Sequence, residues 1–325
     1  VSEQTFSSSS SLTTYKKVVD ISKNHKIYGL TQNDYNEVLE KIKKQNCFLE
    51  YNYIYDKISG TQIPLKDLVI SANHNPNRYH ALIQNRINTL SNEAKEKNLF
   101  PIFMTLTLPS EFHKMKIDKK TKTLIANPKC NHVTPKEAVK HLTKIFSRLR
   151  HDRSLKELSK DERIYFRVNE PHKNGTPHTH VLLFVPKSSI NRVVTAFKRL
   201  FDNKANDIQT NIENATSYIM KYINKTLPLS KKENLSTKEK YLNAWYCKHR
   251  IIRFNCSRTL APLSLYRLLH EKFNLKELTS LVKKKSLSIF VLQTNRDKIM
   301  EIFNGDELIY QRSENYTLRN GLLDF

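Results

Sequence analysis

The chain has 325 residues, and its 55 Lys and Arg against 31 Asp and Glu give a formal net charge of +24. This charge favours a polyanionic partner over a merely solvated lysine-rich surface, and nucleic acid is the first candidate because 15 Phe and 15 Tyr can stack on bases. No apolar run approaches the ~20 residues that cross a bilayer, and the first residues lack the apolar centre of a signal peptide, so we expect a soluble intracellular protein with no membrane partner.

The N-terminal part of the chain is predicted to be mainly helical. Residues 1–25 contain the serine run 7–11 and are expected to form a mobile polar tail. Apolar residues at helical spacing predict a helix from about Thr31 and a second helix over residues 78–98. We therefore separate the tail from a mainly helical extension over residues 26–95.

The middle of the chain alternates strands and helices. Residues 99–109 form an apolar, β-branched run that a proline closes, which is typical of a buried strand. A helix is predicted from Thr134, where Thr134, Pro135 and Glu137 have the pattern of a capped first turn. Two further strands, "RIYFRVNE" and "HTHVLLFV", flank "PHKNGTP", and another helix is predicted from Ser189.

The following elements complete the predicted domain. A short strand "DIQTNI" precedes the helix "NATSYIMKYINKT", after which "HRIIRFNCS" is a predicted strand and residues 262–285 are a predicted helical pair. The order strand, helix, strand, strand, helix, strand, helix predicts an α+β fold with a ferredoxin-like or RNA-recognition-type antiparallel sheet, whose open face is free for a site. We place this core at 96–258 and a helical, basic C-terminal region at 259–325.

Histidines, rather than cysteines, are the candidate metal ligands. None of the four cysteines belongs to a Cys-x-x-Cys pair, so they are predicted to be free thiols. His178 and His180 alternate on a strand, so their side chains share one face. Two parallel imidazoles form half of a site for a divalent ion, although a His-x-His pair also occurs by chance.

A third ligand is expected from the preceding strand, where Glu170 and His172 are the candidates. A strict two-residue hairpin at the Asn-Gly pair would turn Glu170 away from the histidines, whereas an odd-length loop or a one-residue bulge would bring it to their face. Pro171 and Pro177 favour such a bulged or wide connection. We prefer Glu170, with His172 as the alternative, because a carboxylate and two histidines suit Mg2+ or Mn2+, whereas three histidines favour zinc.

The helix "SYIMKYINK" carries two candidate nucleophiles. At 100° per residue, Tyr218, Lys221, Tyr222 and Lys225 fall within an arc of about 100°, opposite the apolar side chains. A phenol with a pKa of ~10 attacks poorly at neutral pH. A lysine three residues later can favour the phenolate, and a metal can make phosphorus more electrophilic. Surface tyrosines packed beside lysine stems are the alternative interpretation.

The ordered motifs resemble those of the HUH endonucleases, and within them the two-tyrosine rolling-circle initiators of the phage replication gene A protein family. The similar segments are "FMTLTLP" (103–109), "EPHKNGTPHTH" (170–180), "YIMKYINK" (218–225) and "WYCKHRIIRFNCSR" (245–258), and the range from the first to the last covers about half of the chain. Thr105 and Thr107 of the first motif are expected to be mainly structural, on the central strand beside the histidines. Thr179 stands where the family usually has a bulky apolar residue, and we expect a small packing cost with retained activity.

The resemblance implies a divalent metal, Mg2+ or Mn2+, bound by His178, His180 and Glu170, and nucleophiles at Tyr218 and Tyr222. It also implies nicking and rejoining of one DNA strand at a replication origin through a 5′-phosphotyrosyl intermediate, in the cytoplasm of a bacterial host cell. Host helicase and polymerase are the implied protein partners, and a helicase has to come from the host because the sequence contains no Gly-x-x-x-x-Gly-Lys-Ser/Thr loop.

Two other functions remain open at this stage. A two-tyrosine transposase or a plasmid mobilisation relaxase would use similar residues, but both tyrosines on adjacent turns of one helix favour an initiator. A non-catalytic nucleic-acid-binding module would use the aromatic residues for stacking. That module leaves the joint presence of the histidine pair and the doubled Tyr-x-x-Lys unexplained.

Overall fold

The computed structural model describes residues 26–118, 120–121, 124–201, 204–228, 234–293 and 298–321. The predicted polar tail at 1–25 therefore lies outside the described residues. Within the described ranges, no helix combines the length and the apolar character needed to traverse a bilayer. The cysteines are free thiols, as predicted: Cys47, Cys130, Cys247 and Cys256.

Ten α-helices and thirteen strands are formed by the described residues. The helices are α1 (Gln32–Tyr51), α2 (Leu65–Leu68), α3 (Pro76–Glu96), α4 (Pro135–His151), α5 (Arg153–Lys156), α6 (Ile190–Leu200), α7 (Ala215–Thr226), α8 (Thr237–His249), α9 (Leu263–Leu269) and α10 (Leu275–Lys283). The strands are β1 (Asn52–Asp56), β2 (Gln62–Pro64), β3 (Leu99–Thr107), β4 (Met115–Ile117), β5 (Leu124–Ala126), β6 (Ile164–Pro171), β7 (Pro177–Pro186), β8 (Asp207–Gln209), β9 (Phe254–Cys256), β10 (Leu287–Leu292), β11 (Lys298–Asn304), β12 (Glu307–Gln311) and β13 (Tyr316–Asn320).

The central sheet has five strands in the order β8-β3-β7-β6-β9, and each neighbouring pair is antiparallel. The predicted strands at 99–109, in "RIYFRVNE" and in "HTHVLLFV" are confirmed as β3, β6 and β7. The histidine-bearing strand β7 itself occupies the centre of the sheet. The strand of the first motif, β3, lies beside it and is not the central strand, because only the short β8 lies beyond β3 whereas β6 and β9 both lie on the other side of β7.

Helices cover both faces of this sheet, so the prediction of an open face is wrong. On one face, residues such as Met104 and Val181 pack against α4 and α6. On the other, residues such as Phe103 and Leu182 pack against α3 and α7. The histidine face is covered because Leu182 and the following Phe184 continue it as an apolar surface, which has to be buried.

Local sequence signals account for the helix ends. The helix predicted from Thr134 is α4, and the Thr134 and Glu137 side chains form the reciprocal hydrogen bonds of a capping box. Helix α8 was not predicted from the sequence, although Ser236 and Glu239 form the same type of capping box at its start. The helices predicted from Thr31, over 78–98, from Ser189 and in "NATSYIMKYINKT" are confirmed as α1, α3, α6 and α7.

The prediction of a mainly helical C-terminal region is wrong. After the predicted pair α9 and α10 the chain forms four strands, of which β11 and β12 are joined by the two residues Gly305 and Asp306. Apolar and β-branched residues on both sides of a Gly-Asp turn are a hairpin signal that outweighs the basic composition. The N-terminal extension also contains strands, and β1 pairs with both β2 and the distant β13. The domain boundaries at 96 and 258 stay predictions. The central sheet and both extensions contribute buried residues to one hydrophobic cluster, which extends across these boundaries.

Candidate metal and tyrosine site

The pairing of β6 with β7 places Glu170 on the face of the two histidines. Glu170 lies directly opposite His178, and the ladder runs from 164 to 171 without a register shift. The connection over 172–176 has an odd number of residues and is closed by the His172 N–H, which donates to the Thr176 carbonyl at 2.8 Å. The predicted wide connection is therefore confirmed, and its odd length rather than a bulge sets the parity.

Glu170, His178 and His180 form a buried group whose ligand atoms lie close enough to hold a divalent ion. The two Nε2 atoms are 3.0 Å apart, and Glu170 Oε2 lies 3.7 Å and 3.8 Å from them. Neighbouring ligands of a six-coordinate ion with bonds of ~2.1 Å lie ~3.0 Å apart, which is the spacing of the two Nε2 atoms, while Glu170 Oε2 lies somewhat farther out. The donor set, two imidazoles and one carboxylate, is compatible with a divalent metal.

Unpartnered buried atoms in this group support the same interpretation. Glu170 Oε1 and His178 Nδ1 are buried and have no hydrogen-bond partner among the described residues. Burial, followed by the neighbouring His180, lowers the pKa of His178 to about 2. The imidazole is therefore neutral at physiological pH, which is the form that binds a metal.

His172, the alternative third ligand, lies outside the group. Its ring packs against the His178 ring with centroids 4.2 Å apart, on the side of the connecting loop. Burial, followed by the nearby His113, lowers the pKa of His172 to about 4. Of the two candidates, Glu170 is thus the one that the structure brings within reach of both Nε2 atoms.

Thr105 holds the second nitrogen of His180. Its Oγ1 lies 3.2 Å from His180 Nδ1, and the two residues are directly opposite each other on β3 and β7. If Nε2 is the ligand atom, the proton is on Nδ1 and is donated to the threonine hydroxyl. Besides forming part of a strand, Thr105 therefore contacts a candidate metal ligand, and this contact was not predicted from the sequence.

We expect Thr105→Val to weaken Mn2+ binding by about 10- to 100-fold, because the hydrogen bond that orients His180 is lost while the side-chain volume is kept. Isothermal titration calorimetry with Mn2+ measures the change. Thr105→Ser is the matched control and should retain most of the affinity, since it keeps the hydroxyl. Equal affinities for the valine and serine variants would show that the hydroxyl plays no part.

The helix α7 lies across the histidine face and carries both tyrosines onto it. The Asn214 side chain accepts from the Ser217 N–H and starts the helix. The ring of Tyr222 packs on His180 with centroids 3.9 Å apart, and the ring of Tyr218 meets the edge of Phe103 at 4.5 Å. The two tyrosine rings are 6.0 Å apart, so both belong to the same site.

The lysines of the doubled motif occupy different positions. Lys225 Nζ donates to Glu170 Oε2 at 2.6 Å, and its side chain is 57% exposed while that of Glu170 is 1% exposed. Lys221 Nζ lies 5.4 Å from the centroid of the Tyr218 ring. The lysine of the second Tyr-x-x-Lys unit thus contacts the candidate metal ligand, and that of the first lies over a phenol ring.

The hydroxyl of Tyr218 is connected to the edge strand β8. It donates to Gln209 Oε1 at 3.2 Å, and Gln209 Nε2 in turn donates to Asp207 at 2.7 Å. Burial, followed by a hydrogen bond with Tyr218, raises the pKa of Tyr222, and the charges of Glu170 and Asp207 act in the same direction. Gln209 and Asp207 were not predicted as site residues, because only strand pairing brings β8 to this helix.

Trp245 and Arg253, from the tryptophan and Ile-Arg-Phe region, form hydrogen bonds with the loop and the helix that carry the site residues. The Trp245 indole donates to the Gly175 carbonyl at 3.0 Å, which fixes the loop between Glu170 and His178. Arg253 is buried and donates to the carbonyl of Thr226 at the end of α7 and to Asn243 of α8. These contacts tie the tyrosine helix and the metal-site loop to one scaffold.

Thr179 is fully accommodated on the opposite face of β7. Its side chain is 1% exposed, and its hydroxyl donates to Asn169 Oδ1 at 2.7 Å. The same amide donates to the Ile252 carbonyl at 2.8 Å, so the buried polar group is satisfied. A threonine in place of a bulky apolar residue therefore leaves no unpaired hydroxyl behind the histidines.

Comparison with known proteins gives a consistent assignment. The family model described as bacteriophage replication gene A protein (GPA) matches residues 11–229. The chain is 31% identical over 184 residues to the replication protein of Haemophilus phage HP1, a match that covers 51% of this chain and 22% of that protein. It is 28% identical over 227 residues to the replication gene A protein of Escherichia phage 186, covering 65% and 31% of the two chains.

A third relative is a probable replication endonuclease from prophage-like region 1 of Salmonella typhi, which is 25% identical over 248 residues, covering 68% of this chain and 30% of that protein. The chain therefore spans less than a third of the length of these relatives. No solved structure matches it. Because the family model covers more than half of the sequence, this chain belongs to the bacteriophage replication gene A protein family.

Proposed function

We propose that this protein initiates DNA replication as an HUH-type, two-tyrosine endonuclease that nicks and rejoins single-stranded DNA at an origin. The observation that carries the proposal is the placement of two tyrosines of one helix beside the buried Glu170, His178 and His180. The names of its relatives, among them a replication gene A protein and a probable replication endonuclease, support the replication role. An antiparallel sheet with α4 and α6 as the connections between its strands supports a ferredoxin-like nuclease core.

In the proposed reaction, Oη of Tyr218 or Tyr222 attacks the phosphorus of one phosphodiester. A bond from the tyrosine oxygen to phosphorus forms as the bond to the 3′ oxygen breaks. The phenol loses its proton and the departing 3′ oxygen gains one. The products are a 5′-phosphotyrosyl link and a free 3′-hydroxyl, and the link keeps the bond energy needed for rejoining.

The residues around the phenols have distinct proposed roles. Glu170, His178 and His180 would hold a divalent ion, Mg2+ or Mn2+, which when bound makes the scissile phosphorus more electrophilic. Lys221 and Lys225 would supply exposed positive charge that binds the phosphate, and Lys221, which lies beside the Tyr218 ring, would favour the phenolate. Gln209 would position Tyr218 by accepting a hydrogen bond from its hydroxyl.

Two nucleophiles on one helix allow two successive strand transfers. One tyrosine takes the first 5′ end while the other stays free for the second cleavage. The released 3′-hydroxyl would serve as the primer for synthesis, which makes a host polymerase and a host helicase the proposed partners. The proposed place of action is the cytoplasm of the bacterial host cell.

Formation of a covalent adduct tests this function. With labelled single-stranded DNA from the replicon and Mn2+, we expect the wild type to give a protein–DNA adduct that survives denaturation. Tyr218→Phe and Tyr222→Phe should each retain part of the adduct, and the double variant should give none. The matched control is Tyr53→Phe with Tyr55→Phe on β1, which removes two hydroxyls away from the site and should leave the adduct unchanged.

The adduct must also depend on metal, so EDTA should abolish it and added Mn2+ should restore it. Tight DNA binding without an adduct under any metal condition would instead support the non-catalytic binding module. An adduct that persists in the double tyrosine variant would assign the nucleophile to another residue.

A further inference from the structure

A second cationic region lies on the face of the sheet opposite the tyrosines. It is a cavity of about 600 Å3 between the end of α4, the segment that follows it and the strand β9. Its cationic side chains, which define what we call the basic cavity, are Arg150, Lys156, Lys160, Arg163, Arg167 and Arg258. Arg167 and Glu170 are separated by an odd number of positions on β6, so they point to opposite faces.

Arg167 is a buried cation that has no anionic partner among the described residues. Arg167 is 6% exposed, and its guanidinium carbon lies 5.0 Å from the centroid of the Phe146 ring. Its Nε is buried and has no hydrogen-bond partner among the described residues. A buried guanidinium is costly when one of its N–H groups has no acceptor among the described residues, so its place on the wall of a cavity favours an anion there.

The two neighbouring arginines have different environments: Arg150 has an unpartnered Nε, and Arg163 is hydrogen-bonded to backbone carbonyls. Arg150 also has a buried Nε without a partner in the described part of the chain, and its guanidinium lies 5.9 Å from the Tyr165 ring centroid. Arg163 instead donates to the carbonyls of Arg150 and Leu155, at 3.2 Å and 2.8 Å. Because these carbonyls belong to helix ends, Arg163 neutralises dipoles that would repel an anion.

Three acidic residues close to the cavity in sequence pair with cations that do not line it. Asp152 pairs with Arg199, Glu157 with Arg192, and Asp161 with both Lys97 and Lys283. Among the described residues, no aspartate or glutamate lines the cavity. The positive charge of the wall is therefore not balanced by acidic residues of the described ranges.

We propose that the basic cavity binds phosphate groups of a DNA strand, at a site separate from the one where the strand is cut. This inference rests on the proposed function for the identity of the polyanion. Arg167 and Arg150 present planar guanidinium groups that match phosphate oxygens. The exposed Lys156, Lys160 and Arg258 form a rim that can follow consecutive phosphates, which a single mononucleotide would not need.

The test compares two triple variants with the same change in charge. Lys156→Ala, Lys160→Ala and Arg258→Ala together remove the rim but leave the buried Arg167 in place. Lys41→Ala, Lys43→Ala and Lys44→Ala together remove three exposed cations from α1 and are the control. Affinity for fluorescein-labelled single-stranded and duplex DNA is measured by anisotropy over a range of salt concentrations, with EDTA present so that the Glu170 group holds no metal.

We expect the rim variant to bind DNA about 10- to 100-fold more weakly, with a salt dependence of log K that is shallower by about 2 to 3, while the α1 variant changes little. Arg167→Met should weaken binding in the same direction, and its circular dichroism spectrum and melting temperature show whether it is folded. Equal losses in the rim and α1 variants, or no loss in either, would overturn the proposal.

Inorganic phosphate and a mononucleotide are added as competitors. If either one raises the melting temperature of the wild type but not of the rim variant, and the rim variant binds DNA normally, the cavity takes a small phosphate compound and the DNA proposal is overturned. The adduct assay is read separately. A wild type that forms no adduct but loses DNA affinity in the rim variant would refute the proposed nicking and leave the basic cavity standing.

Discussion

Replacing Glu170 by glutamine is expected to lower the affinity for Mn2+ by about 100-fold or more and to reduce covalent adduct formation in parallel. The variant removes the only negative charge of the candidate metal group and keeps the shape of the side chain. It also leaves the ammonium of Lys225, now 2.6 Å from Glu170 Oε2, without its anionic partner. That ammonium would then repel an incoming cation.

His172→Ala is the matched comparison for this experiment. His172 is the other candidate third ligand, but its ring lies behind His178 and outside the group. We expect this variant to bind Mn2+ within a few-fold of the wild type, as measured by calorimetry. The reverse order, with His172→Ala losing the metal and Glu170→Gln keeping it, would assign the third ligand to His172 and favour zinc. Melting temperatures of both variants separate loss of metal binding from loss of folding.

Replacing Gly175 by alanine is expected to destabilise the protein by about 3 kcal/mol or more. Gly175 has a φ of +88°, and a Cβ added there would lie 2.3 Å from the carbonyl oxygen of Tyr28, which belongs to the turn packed on the loop. Either the Tyr28 turn or the loop has to move. Because the same loop joins Glu170 to His178, the variant should also weaken Mn2+ binding.

Gly60→Ala is the control, since Gly60 has a φ of +72° but nothing within 4 Å of an added Cβ. It should cost only about 1 to 2 kcal/mol, the price of a left-handed conformation for an alanine. Urea unfolding of the two variants isolates the steric contribution at Gly175. If Gly175→Ala and Gly60→Ala destabilise the protein to a similar extent, the contact with the Tyr28 carbonyl is relieved at no measurable cost in free energy.

Several parts of the fold were predictable because their signals are local. The capping residues Thr134 and Glu137 marked the start of α4, and a short apolar run after an Asn-Gly turn signal identified β7. The same kinds of signal were present in α8 and in the β11–β12 hairpin, where the sequence analysis missed them. The C-terminal region was predicted to be helical from its helical pair and its basic composition, and the Gly-Asp turn signal was not taken into account.

The candidate site was predictable to the extent that it depends on spacing within one element. The separation of His178 and His180 on a strand, and of Tyr218 and Tyr222 on a helix, placed each pair on one face. The contacts of Thr105 with His180, and of Lys225 with Glu170, required knowledge of which elements are neighbours. The lysines were expected to act on the phenols, and nothing in their spacing indicated that one of them would reach a carboxylate on another strand.

The sequence by itself determined the type of most elements in the central part of the chain, the shared faces of the histidine and tyrosine pairs, and the parity that a loop must have to bring Glu170 to the histidines. Only the tertiary structure decided that helices cover both faces of the sheet, that β13 pairs with β1, and that Gln209 reaches Tyr218. The physical reason is range. Capping, side-chain periodicity and turn parity act between residues a few positions apart, whereas strand neighbours and helix packing follow from the burial of apolar surface between segments that are distant in the chain.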